Sequence, residues 1–151
     1  MADMSKPGKL VFIVVAAALV LGVNVLVFRP DGPAPGDPAN AVAVAVGARL
    51  YGAHCASCHG DSLQGEANWK VARADGVLPA PPHDASGHTW HHGDDLLFRY
   101  TKLGGAAIGP AGFKSGMPGF GDRLSDAEIW DVLAFIKSTW PEDIRAAQST
   151  R

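Results

Sequence analysis

The chain has 151 residues, a formal net charge of -2 and a 47% hydrophobic share. That length suits one domain with an appendage, and the near-neutral charge offers no basic surface for nucleic acid. The two cysteines stand at 55 and 58; this excludes a zinc ribbon, whose tetrahedral site needs a second ligand pair, and leaves no thiol for a structural disulfide.

Residues 1–9 are short and polar, with Lys6 and Lys9. Residues 10–28, LVFIVVAAALVLGVNVLVF, are uncharged, and Asn24 is their only strongly polar side chain. As a helix this run spans about 29 Å, close to the ~30 Å hydrocarbon core. We expect a single transmembrane anchor. The preceding lysines favour a cytoplasmic N-terminus, and Arg29 weakly opposes them. The competing reading is a cleaved signal peptide, whose apolar core is usually about 7–15 residues. The small-residue triplet Ala39-Asn40-Ala41 lies well past the apolar run. Either reading sends the remainder out of the cytoplasm. The expected location is a bacterial inner membrane, with the main domain in the periplasm.

Residues 29–41 carry Pro30, Pro33, Pro35 and Pro38. They forbid a regular helix and predict an extended spacer. The domain is then expected over 42–151. The AVAVAV run at 41–46 alternates as a strand does. Asn40 is a plausible cap, however, and GARLYGAHC continues without a breaker, so a helix is predicted there and a short strand is the alternative.

That helix leads into Cys55-Ala56-Ser57-Cys58-His59. Two cysteines with two residues between them reach both vinyl groups of a haem from one helical turn. The next histidine can approach the iron from the same face, so C-x-x-C-H reads as a covalent haem attachment. A thioredoxin-like dithiol is the main competitor and requires a βαβ setting that this chain lacks. His54 is expected to be exposed rather than ligating.

Residues 76–93 and 104–123 are rich in Gly and Pro. Irregular segments of that length are unusual in a small domain and suit a chain wrapped on a large rigid ligand. The first contains His83, His88, His91 and His92, with Asp84 nearby and Asp94 and Asp95 just beyond. One reading is a second metal site for copper or zinc, since imidazole suits both. Another is a histidine bonded to a haem propionate. A third is Trp90 packed on the haem with solvated neighbours. The latter two need no additional metal and are preferred.

A short helix is predicted from Asp94 or Asp95 to Leu103, with acids at its start and Gly104-Gly105 at its end. Met117, in KSGMPGFGD, is the only methionine beyond the N-terminal segment and lies 58 residues after His59. Its glycine and proline neighbours suit a stiff loop approaching a ligand closely. A thioether ligand raises the potential of haem iron, and Met117 is the candidate distal ligand. Ser125 with Glu128 forms a capping box. Ile129, Val132, Leu133, Ile136 and Trp140 then share one helical face, and Pro141 marks the expected stop.

Over residues 43–140 these features resemble the class I cytochromes c. Gly47 stands eight residues before Cys55 and Tyr51 four before it, where that family has a glycine and an aromatic. Phe135 falls at the family's C-terminal helix aromatic. The resemblance implies an all-α fold wrapped around one covalently bound haem c, with a ring edge near the surface. It implies His59 and Met117 as axial ligands, and a proline carbonyl accepting a hydrogen bond from His59. Pro79, Pro81 and Pro82 are all candidates for that carbonyl.

With both axial positions filled, the expected role is one-electron transfer, not catalysis, alone or within an oxidoreductase complex. Expected partners are the membrane and protein redox partners: a quinol-oxidising cytochrome complex, an exported dehydrogenase, a terminal oxidase or a reductase. One alternative is a haem subunit with a displaceable distal ligand in a reductase, peroxidase or gas sensor. The other is a metal-handling protein using the 83–95 cluster. Lys70, Arg73, Lys102 and Lys114 are candidates for a docking rim, or form an ordinary solvated surface.

Overall fold

The computed structural model describes residues 34–151. The n-region at 1–9, the membrane helix expected at 10–28 and residues 29–33 of the spacer lie outside the described residues. Among the described residues there is no strand, and no helix is long and apolar enough to cross a membrane. The elements are α1 (Ala41–His54), α2 (Ala56–His59), a 3-10 turn (Thr89–His91), α3 (Asp94–Leu103), α4 (Gly105–Ile108), α5 (Asp126–Ser138) and α6 (Glu142–Gln148).

The alternating AVAVAV run becomes helix because its first turn is capped. Asn40 Oδ1 accepts from the N–H groups of Val42 (3.2 Å) and Ala43 (3.3 Å), two donors that a helix start leaves unpaired. Ala43, Gly47 and Tyr51 then recur every four residues as the buried face. That face meets α5, which starts at the predicted capping box. Ser125 N–H donates to Glu128 Oε2 (2.8 Å) and Ser125 Oγ accepts from Glu128 N–H (3.4 Å).

The α1–α5 crossing is possible only at a glycine. A Cβ at Gly47 would lie 1.9 Å from the Asp131 carbonyl oxygen and 3.0 Å from Phe135 Cβ. Four residues along α1, the Tyr51 ring packs on Phe135 with centroids 5.4 Å apart. Tyr51, Ile129 and Val132 are fully enclosed; an aliphatic side chain so buried contributes about 1.5–3 kcal/mol before entropy is counted.

Two details differ from the sequence expectations. Residues 34–40 are not spacer: Asp37 N–H donates to the Ala34 carbonyl (3.0 Å) and Asn40 N–H to that of Asp37 (3.2 Å). Their turns bury Gly36 (φ +71°), where a Cβ would lie 3.0 Å from the Trp130 ring. Trp140 lies beyond α5 rather than on it, yet is 1% exposed. Its indole N–H donates to the His83 carbonyl (2.7 Å), which draws the ring inward. Pro141 follows the end of α5 at Ser138, as expected, and also opens α6 as its N-cap. α6 is then locked on α3 through Gln148 Nε2, which donates to Asp94 Oδ1 (2.7 Å), while Lys137 of α5 pairs with Asp94 Oδ2 (2.7 Å).

Candidate functional site

Cys55, Cys58 and His59 come together on the single turn that follows α1. Cys55 N–H closes α1 on the Tyr51 carbonyl (2.8 Å), and the Cys55 carbonyl accepts from Cys58 (3.1 Å) and His59 (2.9 Å). Cys58 is exposed and Cys55 half-buried, and no disulfide joins them. Burial first, and then negative charge at Cys58, pushes the Cys55 thiol up to about 11. A redox dithiol needs the opposite, a lowered pKa at a reactive cysteine.

The buried His59 ring is oriented by Pro81, which selects one of the three candidate prolines. Its Nδ1 lies 2.8 Å from the Pro81 carbonyl oxygen. A carbonyl can only accept, so Nδ1 carries the proton and Nε2 keeps its lone pair. Burial lowers the His59 pKa, against the hydrogen bond to Pro81 and the charge of Glu66. The neutral imidazole so favoured, with its second nitrogen fixed by a backbone carbonyl, is the form that ligates metals.

Gly65 makes this approach possible. At φ +66° it lets the 80–83 segment run against 59–66; a Cβ there would lie 2.5 Å from Pro82 N and 2.6 Å from Pro81 C. The two segments are tied by Glu66 N–H to the Ala80 carbonyl (2.8 Å) and His83 N–H to that of Leu63 (2.8 Å), while Gly65 N–H closes the first segment on the His59 carbonyl (2.7 Å).

Met117 is held by the glycines that end α3. A Cβ on Gly104 would lie 2.6 Å from Gly119 N and 3.1 Å from the Met117 carbonyl oxygen. Gly105 N–H donates to the Met117 carbonyl (3.1 Å), and Met117 N–H to Ser115 Oγ (3.1 Å). The side chain packs against Phe120, Leu124 and Ile129. This cluster borders Leu50 and Phe98, which also flank the cluster of Tyr51, Ala56 and Leu63 beside the cysteine turn.

The histidines of the 83–95 segment are drawn to different partners, and only His88 and His92 meet one another. The His83 ring stacks on His59 at 3.9 Å, His88 on Trp69 at 5.2 Å, and His91 on Trp90 at 3.7 Å; His92 meets His88 edge-on at 5.4 Å. Among the described residues no three His, Cys, Asp or Glu side chains gather as a metal would require. His54 is half-buried, its ring edge-on to Phe120 at 6.3 Å, rather than exposed. The basic side chains are mostly tied down. Arg73 pairs with Glu66 (2.6 Å), Lys102 with Asp126 (2.7 Å), Lys114 Nζ donates to the Asp75 carbonyl (2.8 Å), and Lys70 lies over Trp69.

Sequence reasoning missed His83 as the neighbour of His59. The signal was its place two residues beyond Pro81, which becomes readable only once Pro81 is known to be the acceptor.

One observation tests whether a haem fits. Trp90 Nε1 is buried and, among the described residues, has no hydrogen-bond partner. Such an orphan donor costs stability unless something accepts from it, and a porphyrin carboxylate is an acceptor. The thiol pair, the neutral imidazole with a free nitrogen, the thioether loop and this donor all suit a covalently attached porphyrin. They define a helical domain built for haem.

The chain belongs to the cytochrome c family, whose profile matches residues 44–140, and its all-helical fold is that of the class I members. Covalently bound haem c and electron transfer come with that membership. The chain is 35% identical over 101 residues to the cbb3-type cytochrome c oxidase subunit CcoP of Azospirillum sp. (strain B510), covering 67% of this chain and 30% of that protein. It is 32% identical over 101 residues to cytochrome c6 of Picosynechococcus sp. (strain ATCC 27264 / PCC 7002 / PR-6), covering 67% and 77%. It is 31% identical over 116 residues to thiosulfate dehydrogenase of Stutzerimonas stutzeri (strain A1501), covering 76% and 33%. The chain thus spans about a third of the oxidase subunit and of the dehydrogenase. No solved structure matches it at a significant level.

Proposed function

We propose that this chain is a membrane-anchored, mono-haem electron carrier working on the periplasmic face of a bacterial inner membrane. Cys55 and Cys58 hold the haem by thioethers, His59 is the proximal iron ligand and Met117 the distal one. When bound, the haem iron supplies a one-electron couple. The chain's own residues do the rest. Pro81 fixes the His59 tautomer, so that Nε2 keeps the lone pair a metal would take. Gly104 and Gly105 hold the Met117 loop. Trp90 Nε1, buried without a partner among the described residues, would donate to a carboxylate of the bound ring. The enclosed side chains of Tyr51, Leu97 and Ile129 keep water from the interior, which limits reorganisation when charge arrives or leaves.

The observation that carries this reading is the 2.8 Å contact between His59 Nδ1 and the Pro81 carbonyl. It leaves one imidazole nitrogen free beside two thiols on the same turn. The apolar run at 10–28 supports the anchor, which would keep the carrier at high local concentration near membrane redox complexes. Resemblance to an oxidase subunit and to a dehydrogenase supports partners of those kinds. A quinol-oxidising complex is a further candidate donor.

The test is absorption spectroscopy of the matured, detergent-solubilised chain. A band from thioether bound to ferric iron, with slow or absent carbon monoxide binding to the reduced protein, is expected. Rapid carbon monoxide binding would favour a displaceable distal ligand, as in a sensor or reductase subunit. Recovery of the red protein in the carbonate-washed membrane fraction is expected as well; its release would remove the anchor.

A further inference from the structure

His83 is fixed far more tightly than a core filler requires. Its N–H donates to the Leu63 carbonyl (2.8 Å), and its own carbonyl accepts from the Trp140 indole (2.7 Å). The Thr89 hydroxyl donates to the Pro82 carbonyl (3.4 Å) and therefore accepts from His83 Nδ1–H (2.8 Å). Gly87 allows this by folding the loop back, since a Cβ there would lie 2.0 Å from the Pro82 carbonyl oxygen. Tyr51 meets the ring edge-on at 6.3 Å. So anchored in place and in plane, the His83 ring lies on His59 at 3.9 Å with 23° between the planes.

A single hydrogen bond sets where the His59 ring points but leaves it roughly 30° of rocking within its preferred range. A flat neighbour removes that freedom. We propose that His83 is a positioning residue that sets the plane of the His59 imidazole by stacking on it. This rests on the assignment of His59 to the iron. The orientation of an axial imidazole plane governs how unpaired spin spreads over a ferric porphyrin, so His83 acts on the electronic structure of the site without touching the metal.

The test compares the matured full chain with its His83→Leu, His83→Phe and Thr89→Val variants by proton NMR in the ferric state. The pattern of haem methyl shifts reports the ligand plane, whereas loss of packing alone lowers stability without reordering it. His83→Leu should change the spread and order of those shifts. His83→Phe, which keeps a flat ring, should restore most of the native pattern. Thr89→Val, which releases Nδ1, should shift it in the same sense and less. A haem-bearing His83→Leu chain with the native pattern overturns the proposal and leaves haem attachment standing. If that variant does not mature, an unchanged pattern in Thr89→Val overturns it. A wild-type chain without covalently retained haem contradicts the attachment reading and takes this inference with it.

Discussion

Replacing Gly65 by Ala should damage both the fold and the orientation of His59. The residue sits at φ +66°, where a side chain costs roughly 1–2 kcal/mol. Its new Cβ would lie 2.5 Å from Pro82 N and 2.6 Å from Pro81 C. Both are backbone atoms tied into the cross-links between the 59–66 and 80–83 segments, so neither can swing aside, and such overpacking costs about 1–3 kcal/mol. The sum is a loss of about 2–5 kcal/mol, well above the ~1 kcal/mol helix-propensity gain that Gly→Ala brings on an open helical site. Gly52 supplies that open site: it is exposed in α1, and a Cβ there meets nothing within 4 Å. Urea unfolding of the haem-loaded protein is the assay. With a slope of about 2 kcal/mol/M the Gly65→Ala midpoint should fall by roughly 1–2.5 M, while Gly52→Ala should rise. With His59 as the proposed iron ligand, moving the Pro81 carbonyl should also shift the reduction potential, because that hydrogen bond would tune the ligand's basicity. A Gly65→Ala midpoint equal to that of Gly52→Ala, with an unchanged potential, would refute the role given to this close approach.

At the α1–α5 crossing, Gly47→Ala sets the same propensity gain against a Cβ 1.9 Å from the Asp131 carbonyl oxygen. Sterics should win by about 2 kcal/mol in denaturant unfolding, and a variant more stable than wild type would show that the helices can part cheaply. Met117→Ala should lower the reduction potential and admit carbon monoxide to the reduced iron; an unchanged potential in a redox titration removes Met117 as a ligand. Burial, with neighbouring positive charge, holds the pKa values of His83, His88 and His92 below their ordinary 6.5. Below that pH the unfolded chain therefore binds more protons than the folded one, so stability should hold above about pH 6.5 and fall as the pH drops towards the folded-state values. Unfolding measured across that range should show the decline, less steep in His83→Phe; an identical slope in both chains would exclude His83 as a contributor.

Much of this fold was legible because its signals are local. Asn40 and the Ser125–Glu128 box announce α1 and α5 by capping chemistry that acts within three residues. The acids at 94 and 95 and the glycines at 104 and 105 bracket α3 for the same reason. The five-residue motif is legible because covalent chemistry dictates its spacing. What stayed hidden depends on contacts between distant segments. Nothing in the spacing of Pro79, Pro81 and Pro82 tells which carbonyl meets His59; the close approach at Gly65 decides it. Composition marks residues 34–40 as spacer, yet Gly36 finds the Trp130 ring. Pro141 stops one helix and opens another, since a residue that cannot continue a helix fits well at the start of the next. The histidine-rich segment looks like a ligand cluster in one dimension, but its rings are parcelled out to Trp69, Trp90 and His59 in three.

The tied-down basic residues bear on docking. With Arg73, Lys102 and Lys114 bound within the chain, partner association should depend only modestly on salt.

Intact mass spectrometry of the matured chain after denaturation and acid extraction examines the attachment itself. The account predicts a mass increased by one haem that persists in denaturant, is weakened to a single bond in Cys58→Ala, and is lost in the Cys55→Ala, Cys58→Ala double variant. A colourless wild-type chain at the mass of its bare polypeptide would contradict it.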